Sequence, residues 1–320
     1  MLSFPREFYK LSFDKCSQEA TLMGLTSVNG ERFRSLVYKI HRDAVRLDMG
    51  HNFLGDRATS EVQAALECLN DKIKFITLRG NLLGKKSGKD MSLICSSFKH
   101  VTHLELSFND LCSTDPHMQS DLAIGLGGLA STPIVWLSLD SNRLGYLGDE
   151  LLISTIASLT SLKSLNISYN NLNLKSEGIL ESMCSSVPSN LEHLDISNNH
   201  LGSKIKVIKK LPGNINSLNI SDNAINQLSV EEIKELRDSL THLQILYISY
   251  DEFKMMSSKQ KNALNPILAA INKVIFLDSS GKEVSLEPLS LSTNSLVFFV
   301  RSNDRKEQIV ESSNSNQLRK

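Results

Sequence analysis

The strongest constraint on this chain is a pattern that it repeats. The stretch "IVWLSLDSNRL" at 134–144 returns as "IKFITLRGNLL" (73–83), "VTHLELSFNDL" (101–111), "LKSLNISYNNL" (162–172), "LEHLDISNNHL" (191–201) and "INSLNISDNAI" (215–225). The shared form is L-x-x-L-x-L-x-x-N-x-L. "AVRLDMGHNFL" (44–54) fits it with Ala44 in the first apolar place, and "LQILYISYDEF" (243–253) fits it with Asp251 in the asparagine place. "INKVIFLDS" (271–279) is a worn copy ending in Ser279, and a weaker copy begins at Phe8, with Leu11, Phe13 and then Cys16 in the asparagine place. The ninth-place residues Asn52, Asn81, Asn109, Asn142, Asn170, Asn199, Asn223 and Asp251 are spaced by 28, 29 or 24, with one spacing of 33 between Asn109 and Asn142. Self-similarity at such a period marks an array of stacked units.

The physics requires stacking. Leu137, Leu139 and Leu144 of one unit cannot bury themselves alone. Between Leu104, Leu106, Leu111 and Leu165, Ile167, Leu172 of the neighbouring units they form a continuous core. An asparagine amide both donates and accepts, so at the turn leaving each strand it can satisfy backbone groups and form a ladder. Asp251 would accept only, and the array is expected to wear out toward its C-terminal end. Helix-period segments lie between the strands. In "SEVQAALECLND", Val62, Ala65, Leu66 and Leu69 share one face, and Ser229/Glu232 and Ser257/Gln260 have capping-box spacing. Pro133, Pro188 and Pro212 fall in loops before strands, where a missing donor matters little.

This pattern resembles the leucine-rich-repeat family, and the period of 28 and 29 residues is similar to its ribonuclease-inhibitor-like class. The resemblance implies an α/β solenoid, a horseshoe arc with parallel strands on the concave face and helices on the convex face. The expected organisation is an N-terminal capping region at 1–42, an array of about nine repeats at 43–285, and a C-terminal tail at 286–320 holding a short closing strand at "SLVFFV".

Side chains alternate along a strand. The fourth and sixth places therefore point into the core and the third and fifth onto the concave face. The third-place column reads Arg46, Phe75, His103, Trp136, Ser164, His193, Ser217, Ile245; the fifth reads Asp48, Thr77, Glu105, Ser138, Asn166, Asp195, Asn219, Tyr247. Arg79, Phe108, Asp140, Tyr169 and Tyr250 follow just beyond the strands. Between 75 and 140 the columns gather aromatic and charged residues, the composition of a binding hot spot. The candidate partner-binding set is Trp136, Phe75, His103, Glu105, Phe108, Asp140, Arg46, Asp48, Arg79, Tyr169 and Tyr247. Trp136 is the only tryptophan. It serves either as a partner anchor or as a surface aromatic that packs with Phe75 over His103. The Ser/Asn-rich middle repeats read as solvated surface, with His193 and Asp195 a plain surface pair.

Chemistry finds little footing. His103 and Glu105 lack a third ligand at metal-site spacing, since His100 precedes the strand. "GLGG" at 125–128 lacks the strand that a dinucleotide loop needs, and no G-x-S-x-G elbow occurs. Cys112 and His117 do not read as a nucleophile pair. The five cysteines are scattered without C-x-x-C and read as free thiols. Lys+Arg and Asp+Glu balance at 35 each, so bulk charge offers nothing to nucleic acid. No secretory signal or membrane-length apolar run is present. No cofactor or metal is expected, and the chain reads as a non-enzymatic monomer that binds a protein.

Two further resemblances bear on function. The sequence is similar in flavour to the leucine-rich-repeat effectors that Legionella-like intracellular bacteria inject through a type IV system. That implies a host protein as partner, passage from bacterial cytoplasm to host cytosol without a signal peptide, and a translocation signal in the tail, where Glu307, Glu311 and Leu318 lie. Repeats of this class also build a GTPase-activating protein, which would use Arg79 or Arg143 on a small GTPase. A cytoplasmic housekeeping scaffold is the remaining alternative.

Overall fold

The computed structural model describes residues 9–112 and 121–284. Its strands form one sheet of eleven in sequence order. They are β1 (Lys10–Asp14), β2 (Glu19–Met23), β3 (Arg46–Asp48), β4 (Phe75–Thr77), β5 (His103–Glu105), β6 (Trp136–Ser138), β7 (Ser164–Asn166), β8 (His193–Asp195), β9 (Ser217–Asn219), β10 (Ile245–Ser249) and β11 (Lys273–Leu277). From β2 onward every pairing is parallel. The register aligns the repeats place for place, so that Leu104, Leu137 and Leu165 stack, and so do His103, Trp136 and Ser164.

Parallel neighbours need a crossover, and most crossovers hold a helix on the opposite side from the strands. These are α1 (Gly30–Tyr38), α2 (Thr59–Leu66), α3 (Gly88–Ser96), α4 (Leu122–Gly127), α5 (Asp149–Ala157) and α6 (Glu177–Ser185), then α7 (Val230–Glu235), α8 (Arg237–Leu240), α9 (Tyr250–Met255) and α10 (Ser258–Ala270). Ser229 and Ser257 close the two expected capping boxes. The short repeat between Asn199 and Asn223 has no room for an α-helix, and its crossover is the 3₁₀-helix Gly202–Lys210.

The fourth- and sixth-place residues are buried throughout, from Leu47 and Met49 to Leu246 and Ile248. The ladder forms as the donor–acceptor argument requires. The Asn81 Oδ1 accepts from the Asn52 and Leu54 amides at 2.9 and 3.3 Å, and its Nδ2 donates to Met49 O and Leu78 O at 2.9 Å each. The same bonds recur at Asn109, Asn142, Asn199 and Asn223, and at Asn170 with Ser168 O in place of the Ile167 carbonyl; all are essentially inaccessible to solvent. The turn also brings neighbouring backbones very close. A Cβ on Gly55, Gly84 or Gly145 would lie 1.9, 1.8 or 2.0 Å from a carbonyl oxygen of the next repeat, so only glycine fits there.

Both ends depart from the sequence reading. Phe8 lies outside the described residues, and from Leu11 to Cys16 the expected weak copy is not a repeat. Residues 10–23 form an antiparallel hairpin, Cys16 is exposed in its turn, and β2 is the strand that docks on the array. At the other end Asp251 does not take the asparagine place. β10 runs two residues longer than β9 and the other array strands before it and passes directly into α9, which Ser249 caps, so Asp251 sits on the helix and pairs with Lys254 at 3.0 Å. Glu252 closes the ladder instead, accepting from the amides of Ala224 and Ile225. Ser279 extends no ladder; it is exposed beside a turn that the Asp278 carboxylate organises. His117, "SLVFFV", Glu307, Glu311 and Leu318 lie outside the described residues.

Candidate functional site: the concave face

The concave side chains of β3 to β6 stack into a row. The Arg46 guanidinium lies over the Phe75 ring at 4.1 Å. Phe75 stacks on His103 with centroids 4.2 Å apart, and His103 on Trp136 at 6.0 Å. All four are half-buried. The sheet causes this: strands about 4.8 Å apart in parallel register place third-place rings at stacking distance. Each ring is thus partly covered by its neighbours, and Trp136 packs on His103 while keeping part of its indole accessible.

The row sets the histidine's charge. Burial and then the Arg46 charge, across Phe75, push His103 down to about 4, so the imidazole in the row is neutral at physiological pH. Its Nδ1 is 2.8 Å from Thr102 Oγ1. Among the described residues no three potential ligands gather around a metal-sized space, and His100 is exposed in the loop before β5.

Carboxylates line the next column. Glu105 accepts from the Thr77 hydroxyl at 3.0 Å. Asp140 accepts from the hydroxyls of Ser107 and Ser138, and Asp48 from the Gly50 amide at 2.8 Å. The middle repeats are less solvated than their composition suggests. Ser217 is buried, as is Ser138 just before them on β6. Asp195 does not pair with His193; it accepts from Asn219 Nδ2 and the Ser197 amide, both at 2.9 Å. Its carboxyl is half-buried, and burial raises its pKa, with the Asp140 charge adding to the rise.

The remaining candidates stand apart from the row. Arg79 lies over the Phe108 ring at 4.3 Å. Phe108 and Tyr169 are about half exposed on the turns after β5 and β7. Both adopt positive φ, 55° and 54°, where Gly80 or Asn198 serves in other repeats. A left-handed conformation costs a side chain about 1–2 kcal/mol, so exposed aromatics there gain nothing for the fold that asparagine would not. Tyr247 belongs to the far end, four strands from Trp136, in a patch with Ser217 and Asp195. Arg143 pairs with Asp110 at 3.4 Å.

Two sets of residues escaped the sequence reading. One is Glu252, which burial pushes up to about 7 against the backbone donors that favour its charge. The other is a second ladder, farther along the same strand-to-helix connections, where the short 3₁₀ turns end. Arg57, Lys86, Lys175 and Lys204 reach back to carbonyls of the preceding repeat: Leu25 and Val28, Arg57, Leu147, and then Asn173 with Lys175. Each stands five residues after a ladder asparagine, a signal present in the sequence and overlooked. The thiols of Cys95, Cys112 and Cys184 are buried, and burial pushes each to about 12, far from reactive.

Comparison with known proteins agrees with this geometry. Models described as leucine-rich repeats match residues 190–211 and 158–178. A crystal structure of the leucine-rich-repeat-containing protein LegL7 from Legionella pneumophila superposes with a TM-score of 0.69. It is 28% identical and covers 81% of this chain and 82% of its own. The chain is built of leucine-rich repeats. The Toll–Spätzle complex from Drosophila aligns at 13% identity and TM-score 0.49, covering 86% of this chain and 32% of that one. No curated protein sequence matches. Leucine-rich repeats are protein-interaction modules, and this protein resembles a Legionella member of the family. No helix among the described residues is long and apolar enough to cross a membrane.

Proposed function

We propose that this leucine-rich-repeat protein binds a protein partner, without catalysis, through its concave face over β3 to β6, with Trp136 as anchor. The observation that carries the reading is the Arg46–Phe75–His103–Trp136 row: a large, rigid, amphipathic surface held at low entropic cost by a pre-formed sheet. Glu105 and Asp140 flank it, and Phe108 with Arg79 extends it onto the turn edge. Asp48, Tyr169 and Tyr247 form the periphery. The likeness to a Legionella protein supports a role as an effector delivered to a host cell, where a single copy would occlude or scaffold a host protein. Arg79 and Arg143, the residues a GTPase-activating role would need, are both engaged locally, one over Phe108 and one with Asp110.

Capture from host-cell lysate tests the reading. The wild-type chain should retain a specific protein that a Phe75→Ala/Trp136→Ala variant, folded by circular dichroism, does not. Identical capture by both would overturn it.

A further inference from the structure

The row of rings is closed at one end and open at the other. Its first ring, Phe75, is covered by the Arg46 guanidinium at 4.1 Å. Its last ring, Trp136, is met on one side by His103, and the next place in the column, on β7, is Ser164. A serine side chain is too short to cover an indole. Beyond it His193 is exposed on β8, two strands from Trp136. The indole therefore keeps an accessible face at the centre of the array.

The charge around that face is one-sided. On the concave places and first turn positions of β3 to β9 stand four carboxylates, Asp48, Glu105, Asp140 and Asp195, against two guanidinium groups, Arg46 and Arg79. The chain as a whole balances at 35 and 35, so this surplus is local. The two guanidinium groups already lie over Phe75 and Phe108, while Asp140 follows Trp136 at the end of β6 and Asp195 stands two strands on, on β8, beyond the open end of the row. This face twice places a cation on a ring, and among the described residues none lies on its largest ring.

We propose, resting on the concave-face reading above, that the partner presents an arginine or lysine side chain from an extended segment. That cation lies on the open face of Trp136, and its charge is met by Asp140 and Asp195. An indole is the best aromatic acceptor for a cation, and two carboxylates short of solvent supply the counter-charge that an incoming guanidinium needs. An apolar residue beside the cation would rest against the half-buried rings of the row.

Trp136 is the only tryptophan, so its fluorescence reports this site alone. The full chain is titrated with three synthetic peptides: acetyl-Ala-Arg-Leu-Arg-amide, the same peptide with citrulline for arginine, and the same with glutamate. The arginine peptide should change the emission saturably and bind at least about ten-fold more tightly than the citrulline peptide, which keeps the shape and loses the charge. An Asp140→Asn/Asp195→Asn variant should bind it at least about five-fold more weakly. A Ser164→Arg variant, which supplies the cation from within, should remove the response. Equal affinity for the arginine and citrulline peptides, a preference for glutamate, or no saturable change would overturn the proposal. If that happens while the Phe75→Ala/Trp136→Ala variant still loses its lysate partner, only the cation assignment falls. If that loss is absent too, the concave-face reading falls with it.

Discussion

Replacing Asn142 by alanine should destabilise the array by about 2–5 kcal/mol. The side chain is fully buried between β5 and β7. Its Oδ1 accepts the amides of Asn109 at 2.9 Å and Leu111 at 3.4 Å, and its Nδ2 donates to Leu106 O and Leu139 O at 2.9 and 3.0 Å. Leu106 O keeps the Asn109 amide group and Leu139 O keeps that of Asn170, so both carbonyls remain satisfied. The two backbone amides of the preceding repeat do not. Each buried orphan costs about 1–3 kcal/mol, and water has no path to replace the lost acceptor. Aspartate at this position is the sharper variant. It retains the acceptor but turns an oxygen toward the carbonyls and buries a charge, so its carboxyl should titrate above the ordinary value. Its stability should then match or exceed that of the alanine variant at low pH and fall below it as pH rises through that value. Urea unfolding gives the size of the loss. Amide exchange at Asn109 and Leu111 locates it, because arrays can open repeat by repeat. A loss for Asn142→Ala under about 0.5 kcal/mol, or unchanged protection at those two amides, would refute the ladder as a stabilising element.

Four other substitutions probe separate parts of the structure. Glu252→Gln should flatten the pH dependence of stability. Burial raises the wild-type carboxyl from 4.5 to about 7, so its neutral form favours folding, and stability present below pH 4.5 is lost as pH rises toward 7. Partial solvent access limits that loss to about 1–2 kcal/mol, and a wild-type profile no steeper than that of the variant in chemical denaturation would contradict it. Lys175→Met removes a cation whose Nζ reaches the Leu147 carbonyl and, at 2.8 Å, Asp149, and should cost about 1–3 kcal/mol in the same assay. Lys163→Met, at a half-exposed pair with Glu192, should cost under about 0.5 kcal/mol, and equal losses would remove the second ladder. Phe53→Asn, at an exposed turn position with φ 57°, should leave the melting temperature unchanged or raise it, and a marked fall would show that the aromatic has a structural role.

The fold was legible because one eleven-residue pattern states the strand, its core side chains and its turn together. Leu137 and Leu139 fix the strand's inner face, and Asn142 marks the turn that follows. The concave columns follow from alternation alone. The packing within a column was not legible, since stacking of Phe75 on His103 depends on rotamers that no spacing specifies. The middle of the face misled for a related reason: Asp195 and Ser217 have the composition of solvated surface, but adjacent strands bring their partners within hydrogen-bonding distance. Asp251 misled because the pattern places an acidic residue in the asparagine place, while two extra strand residues in β10 shift the ladder contact to Glu252. The cationic ladder was hidden in a place where two repeats carry leucine, Leu147 and Leu228, instead of lysine or arginine.

The central claim is that the concave face, and Trp136 on it, recognises the partner. The most direct measurement is the affinity of the purified partner for Trp136→Ala beside a convex-face control, Leu93→Ser/Ile124→Ser, which changes two exposed apolar residues on α3 and α4. Titration calorimetry should give a loss of at least about 2 kcal/mol for Trp136→Ala and little change for the control. A full-strength complex with Trp136→Ala, together with a weakened one for the convex variant, would place recognition on the helices and contradict the account.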